Sequence, residues 1–141
     1  MVDKGLVMRK VAQLEIYERQ VSEYAGITLA EYQADWKTQR VVERTLQMMI
    51  ETCADIAAHL IADSAMRVPT TYADTFRVLF ENGVIGADTF SVMEKMAKFR
   101  NIVVHQYEAV DAEIVLLILR KHLGDFVSFK GAVLQNLGTR D

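Results

Sequence analysis

The sequence predicts an all-α fold, an up-and-down bundle of four or five helices. The 141 residues include only seven glycines and one proline, so few residues interrupt helices. Apolar residues recur at the spacing of one helix face, and no stretch alternates with the period of two that is typical of strands. The links between the predicted helices are short, so consecutive helices should be antiparallel neighbours in a single domain over residues 1–141.

Two helices are predicted in the N-terminal half. The first covers about residues 3–24, and Gly26 then favours the left-handed conformation that ends helices. The second begins at a capping box, in which Glu31 follows Thr28 by three residues, and runs to about residue 65 with one interruption. Its later half has a clear apolar stripe, formed by Leu46, Met49, Cys53, Ile56, Ala57, Leu60 and Ile61.

Three further helices are predicted in the C-terminal half. Pro69 disfavours helix in the residue before it, and Thr71 then caps a short third helix. A fourth helix runs from about residue 86 to residue 107. Asp111 caps the fifth, which covers about residues 112–137.

Composition and charge exclude several classes of protein. Apolar residues make up 51% of the chain, enough for a core and too many for a disordered protein. The net charge of −3 and the pI of about 5.6 argue against a surface that is basic throughout. Cys53 is the single cysteine, so neither an intramolecular disulfide nor a paired-cysteine zinc site can form. The N-terminus lacks a signal-peptide pattern and no apolar run is long enough to cross a membrane, so we expect a cytoplasmic protein.

Arg100 is the unusual residue of the fourth predicted helix. On an ideal helical wheel it lies in the middle of the apolar stripe, with Tyr107 further along the same line. Burying an unpaired guanidinium costs several kcal/mol, so something must compensate for it. The side chain can reach the edge of the bundle, or pair with an acid such as Glu43 or Asp35. Alternatively, the stripe opens onto a cleft or a second subunit, where Arg100 meets an anion.

Two polar residues follow Arg100 on the adjoining face. Asn101 and His105 are four residues apart, which places them within reach of each other. His105 lies about 140° around an ideal helix from Arg100. The two side chains would therefore converge on one small ligand only through a kink or, as we favour, through a second protomer.

A metal site is the weaker interpretation of the second helix. Asp55, His59 and Asp63 follow one another at four-residue spacing, which could hold a divalent metal. A solvated helix face produces the same pattern, and a site needs more converging ligands. We therefore expect no metal here and assign Cys53 to the core.

Residues 100–107 read Arg-Asn-Ile-Val-Val-His-Gln-Tyr. This segment resembles the R-x4-H-x-Y motif of HepT-like toxins, which belong to the HEPN superfamily of helical-bundle ribonucleases. Asn101 also matches the R-N start that is common in that superfamily. The resemblance covers the whole chain in helix order and length, and these eight positions at the level of residues.

The resemblance implies a metal-independent endoribonuclease toxin that forms a homodimer and needs no cofactor. In such enzymes the ribose 2′-hydroxyl attacks the adjacent phosphorus of an RNA, such as a tRNA or mRNA, and leaves a cyclic phosphate. Arg100 and His105 would be catalytic, with Asn101 in support. The partner would be an MntA-like nucleotidyltransferase antitoxin, which neutralises the toxin by transferring AMP to Tyr107.

These residue types suit that chemistry. Histidine exchanges protons near neutral pH, and arginine offers a fixed fork of donors to a phosphate that gains charge. An AMP group on Tyr107 would add bulk and negative charge where RNA phosphate binds. Two alternatives remain open: a non-catalytic HEPN module that binds a nucleotidyltransferase or a nucleotide ligand, and a helical interaction protein in which Arg100 is salt-bridged in the core.

Overall fold

The computed structural model describes residues 3–139 and consists of α-helices joined by short turns. Residues 1, 2, 140 and 141, the ends of the expected domain over residues 1–141, lie outside the described residues. The helices are α1 (Lys4–Ser22), α2 (Leu29–Ala34), α3 (Trp36–Asp63), α4 (Tyr72–Glu81), α5 (Ala87–His105), α6 (Ala112–Leu117) and α7 (Leu123–Gly138). A 3-10 turn covers Tyr107–Ala109, and a π-helical turn, Ile118–His122, joins α6 to α7.

The predicted all-α class is confirmed, since no strand occurs in residues 3–139. The capping box forms as predicted: the Thr28 hydroxyl accepts from the backbone N–H of Glu31, whose carboxylate accepts from the N–H of Thr28. The interruption in the second predicted helix falls at Asp35. Its backbone leaves the helical region, and its carboxylate accepts from the N–H groups of Lys37 and Thr38 at the start of α3.

The core is built around α3, which packs against α1, α4, α5 and α7. The predicted stripe on α3 is buried along its length. Each large apolar side chain removed from water in this way contributes about 1.5–3 kcal/mol. At the far side of the core, the rings of Phe76 in α4 and Phe129 in α7 meet edge to face at 5.7 Å.

None of the helices between residues 3 and 139 combines the length and the low charge that a bilayer crossing would require.

A charged cluster fixes the connection between α3 and α4. The Arg67 guanidinium donates to both carboxylate oxygens of Asp74, at 2.9 and 2.7 Å, and through Nε to Glu81 at 2.8 Å. Asp74 also accepts from the backbone N–H of Thr70. The hydrogen bonds from Arg67, then that from Thr70, hold the pKa of Asp74 well below its usual value.

We predict that Asp74 makes the fold sensitive to acid. Because its pKa is lower in the folded state, its stabilisation is complete above the unfolded pKa of about 3.9 and is lost as the pH falls below it. Urea unfolding at pH 7 and pH 3 should show a smaller loss of stability in Asp74→Asn than in the wild type. Asp63→Asn, at an exposed position, is the control and should keep the wild-type difference. An equal loss in all three proteins would contradict the prediction.

Candidate active site

Arg100 lies on α5 where that helix faces α3 and α4. Its side chain is 14% exposed, and Glu51 of α3 binds it: Nε and Nη2 lie 2.9 and 2.8 Å from the same oxygen, Oε2. Nη1 donates to Oδ1 of Asn101 at 3.2 Å. The guanidinium lies over the ring of Tyr72, with Cζ 4.1 Å from the ring centroid. Three neighbours therefore fix both the direction and the plane of this group.

An acid from another helix does compensate for Arg100, but the two candidates named from the sequence are wrong. Glu43 is buried, and its nearest cation is Arg40 on the same helix, at 3.8 Å. Asp35 caps the start of α3 instead. Glu51 takes the role because it faces α5, and it also accepts from the Gln47 side chain at 3.0 Å.

A cleft of about 400 Å³ opens beside this cluster, between α3 and the start of α4. Glu51 and Tyr72, the two side chains that hold Arg100 across the helices, are part of its wall. A guanidinium carries five N–H donors, and the contacts with Glu51 and Asn101 engage three of them. The other two have no hydrogen-bond partner within residues 3–139. The cleft is lined by Glu51, Ala54, Asp55, Ala58, Pro69, Thr70, Thr71, Tyr72 and Thr75.

His105 and Tyr107 lie at the C-terminal end of α5, apart from Arg100. The helix ends at His105, because Gln106 has φ −140° and ψ 47°. Tyr107 then begins the 3-10 turn and is 59% exposed. His105 is also exposed, and the two line a shallow cleft of about 430 Å³ with residues 106, 108 and 109. The prediction that Tyr107 continues the line of Arg100 is wrong because the wheel extends past the end of the helix.

The structure brings Arg100 and Asn101 together but not Arg100 and His105. Arg100 and Asn101 form one pair, and His105 and Tyr107 share the shallow cleft. In the part of the chain that the structure describes, no hydrogen bond runs from the first two residues to the other two. The α-helix is continuous from Ala87 to His105, so the kink that was one explanation is absent. The other explanation, a second protomer, stays a prediction.

The remaining candidate ligands do not form a cluster. Within residues 3–139, no group of three His, Cys, Asp or Glu side chains converges as metal ligands. Asp55 pairs with Lys10 at 2.9 Å. Cys53 is fully buried, and burial raises the pKa of its thiol. It is therefore a core residue rather than a nucleophile.

Comparison with known proteins gives a family model that covers these residues. The model of the family described as "Ribonuclease HepT-like" matches residues 14–133, which include Glu51, Tyr72 and the whole Arg100–Tyr107 segment. The chain belongs to this HepT-like family. The resemblance of the motif to HepT-like toxins is thereby confirmed.

One curated relative and two solved structures are similar to this HepT-like chain over nearly its whole length. The chain is 28% identical to the "mRNA nuclease HepT" of Shewanella oneidensis, over 88% of this chain and 92% of the relative. It is similar to a toxin–antitoxin crystal structure with AMP-PNP, with a TM-score of 0.87, 26% identity and coverage of 93% and 98% of the two chains. It is also similar to a structure of the tri-AMPylated Shewanella oneidensis HEPN toxin in complex with the MNT antitoxin. Here the TM-score is 0.86, the identity is 27%, and the match covers 96% of this chain and 99% of that chain.

Sequence reasoning on this HepT-like chain missed Glu51 and Tyr72. Glu51 is 49 residues from Arg100, and nothing in the local pattern pairs the two. One signal was available: Ala54 and Ala58 lie on the same side of α3 as Glu51, and small residues at that spacing leave room for a cleft. Tyr72 gave no signal beyond its place as the first residue of α4.

Proposed function

We propose that this chain is the ribonuclease toxin of a toxin–antitoxin pair and that it cleaves RNA without a metal. The observation that carries the proposal is the matched family segment, in which Arg100 pairs with Glu51 of the cleft wall and His105 is exposed at the end of α5. The relative described as an mRNA nuclease supports RNA as the substrate, and mRNA and tRNA are the two candidates to test. RNA, the proposed substrate, and ATP, the source of the AMP group that the antitoxin would transfer, are both found in the cytoplasm. The chain would therefore act there.

The proposed reaction uses His105 as a proton acceptor and Arg100 as an anion-binding group. His105 removes the proton of the ribose 2′-hydroxyl, whose oxygen attacks the adjacent phosphorus. The bond from phosphorus to the 5′-oxygen breaks, and that oxygen takes up a proton, leaving a 2′,3′-cyclic phosphate and a 5′-hydroxyl. The free N–H groups of Arg100 stabilise the charge on the phosphate oxygens. Asn101 holds Nη1 of Arg100 during this step.

The two catalytic groups would meet across a homodimer. Within one chain an unbroken helix separates Arg100 from His105. A two-fold interface places the same surface of both chains together, so Arg100 of one protomer can work with His105 of its partner. The dimer would therefore contain two sites.

Tyr107 would be the acceptor of AMP from an MntA-like nucleotidyltransferase antitoxin. All five tyrosines lie in the described part of the chain, and Tyr107 alone is exposed. A transferring enzyme must reach the hydroxyl, so this position suits it. The AMPylated toxin in complex with MNT antitoxin, and the toxin–antitoxin structure with AMP-PNP, support this pairing.

The non-catalytic module remains the second candidate because Glu51 offsets the charge of Arg100. Such a module would bind its nucleotidyltransferase partner through the same surface and would leave RNA intact.

We predict that the purified, unmodified chain cleaves labelled RNA in EDTA and leaves cyclic-phosphate ends. His105→Ala should lower the rate by about 10²–10⁴-fold, the usual contribution of a proton-transfer group. The fold should survive because the side chain is exposed. The control is His122→Ala, which removes the histidine paired with Asp125 and should cleave as the wild type does. Cleavage by His105→Ala at the wild-type rate would contradict the role of His105. An inactive wild type on mRNA and a tRNA panel would favour the non-catalytic module.

We predict that a cognate MntA-like nucleotidyltransferase with ATP transfers AMP to Tyr107 and abolishes cleavage. Intact-mass and peptide mass spectrometry should find the adduct in the wild type and in Tyr24→Phe, which changes a half-buried tyrosine. In Tyr107→Phe it should be absent, because no hydroxyl remains at the accessible position. Modification of another residue in the wild type would refute the assignment.

We predict a homodimer with twice the 16.0 kDa mass of the chain, measured by light scattering. Arg100→Ala and His105→Ala should each be inactive alone. Mixing them after exchange of subunits should restore about a quarter of the wild-type activity, because half of the dimers then hold one intact site. A mixture that stays inactive, although subunits exchange, would show that Arg100 and His105 act within one protomer.

A further inference from the structure

We propose that Glu51 and Tyr72 form a clamp that positions the Arg100 guanidinium for an RNA phosphate. In this clamp Glu51 also weakens the hold of Arg100 on RNA. The inference rests on the proposed nuclease function and adds two positioning residues from helices that the motif does not include. Neither residue would touch the reacting atoms.

The carboxylate of Glu51 sets the direction of the guanidinium within its plane. One oxygen, Oε2, accepts a hydrogen bond from Nε at 2.9 Å and lies 2.8 Å from Nη2 in the salt bridge. Gln47 donates to the same oxygen at 3.0 Å and holds it in place. Because one edge of the guanidinium is held and Asn101 engages Nη1, the free N–H groups have a fixed direction.

The ring of Tyr72 sets the plane itself. It lies over the guanidinium at 4.1 Å, which is well within the range of a cation–π contact. Tyr72 is the first residue of α4, and Thr71 caps that helix through the N–H of Asp74. The salt bridges of Arg67 then fix the same turn. The plane of Arg100 therefore depends on a rigid helix end rather than on a mobile loop.

Glu51 also changes the charge that an incoming phosphate meets. Its carboxylate offsets the charge of Arg100, so RNA binds less tightly than it would at an unpaired arginine. Since the carboxylate is only 29% exposed, solvent screens it less than it screens a surface acid. A phosphate gains charge in the transition state, when the oriented donors matter most.

The chain contains a matched cluster that can act as the control. Arg77 on α4 binds Glu94 on α5 at 3.1 Å, and its guanidinium lies 5.0 Å from the ring centroid of Phe90. The side chain of Glu94 is 29% exposed, as is that of Glu51. An arginine, a carboxylate and an aromatic ring are thus combined at a second place, away from the motif.

The experiment compares kcat and KM for RNA cleavage with thermal unfolding. Glu51→Ala and Tyr72→Ala should each lower kcat by about tenfold to 100-fold, because misplaced donors lose most of their effect in the transition state. Tyr72→Phe, which keeps the ring, should restore most of the kcat lost in Tyr72→Ala. Glu51→Gln, which keeps the accepting oxygen but removes the charge, should lower KM several-fold and lose less kcat than Glu51→Ala. Glu94→Ala should keep the wild-type kcat.

The outcomes separate the clamp from the proposed function. Suppose that the wild type cleaves RNA and that Glu51→Ala and Tyr72→Ala, assayed below their melting temperatures, have the same kcat as the wild type. The clamp is then wrong, and the proposed nuclease function stands. The same holds if Glu51→Ala and Glu94→Ala lower kcat and melting temperature equally, since both pairs are then merely structural. If the wild type and Arg100→Ala are both inactive on every RNA, the proposed function is contradicted and the clamp falls with it.

Discussion

The central position of α3 is the constraint on which the rest of the bundle depends. Helices α1, α4, α5 and α7 all pack against it, so its apolar surface is much wider than that of a helix at the edge of a protein. A polar residue on such a helix is stable only where a neighbour supplies a partner or where water enters. Glu51 meets both conditions, because it contacts Arg100 on one side and a cleft on the other.

The pair of Arg100 and Glu51 joins the stability of the bundle to the chemistry that we propose for it. A largely buried arginine needs a carboxylate to offset the loss of hydration, and Arg100 has one in Glu51. The same contacts that make the charge tolerable also fix its orientation. A structural and a functional explanation of Arg100 are therefore not opposed. An arginine that is salt-bridged in the core and an arginine that binds phosphate would both make the same contacts with three neighbours.

What the sequence could predict was decided by local interactions. The helices follow from apolar spacing, and their starts from capping side chains such as Thr28, Thr71 and Asp111. The end of α5 could not be predicted, because residues 106–108 contain neither glycine nor proline. The partner of Arg100 was missed for a different reason. Several acids lie on the preceding helices, and only the packing of α5 on α3 selects Glu51 among them.

The π-helical turn joins α6 and α7 into one continuous helical segment, in which the number of residues decides which side chains face the core. A π turn holds one residue more than an α turn, and each residue rotates the chain by about 100°. Ile114 and Leu117 before the turn are 45% exposed, whereas Phe126 and Phe129 after it are fully buried. Deleting one residue from the π turn would barely shorten this segment, but it would rotate both phenylalanines away from the core. The number of residues in the turn therefore sets the rotation of α7 relative to α6.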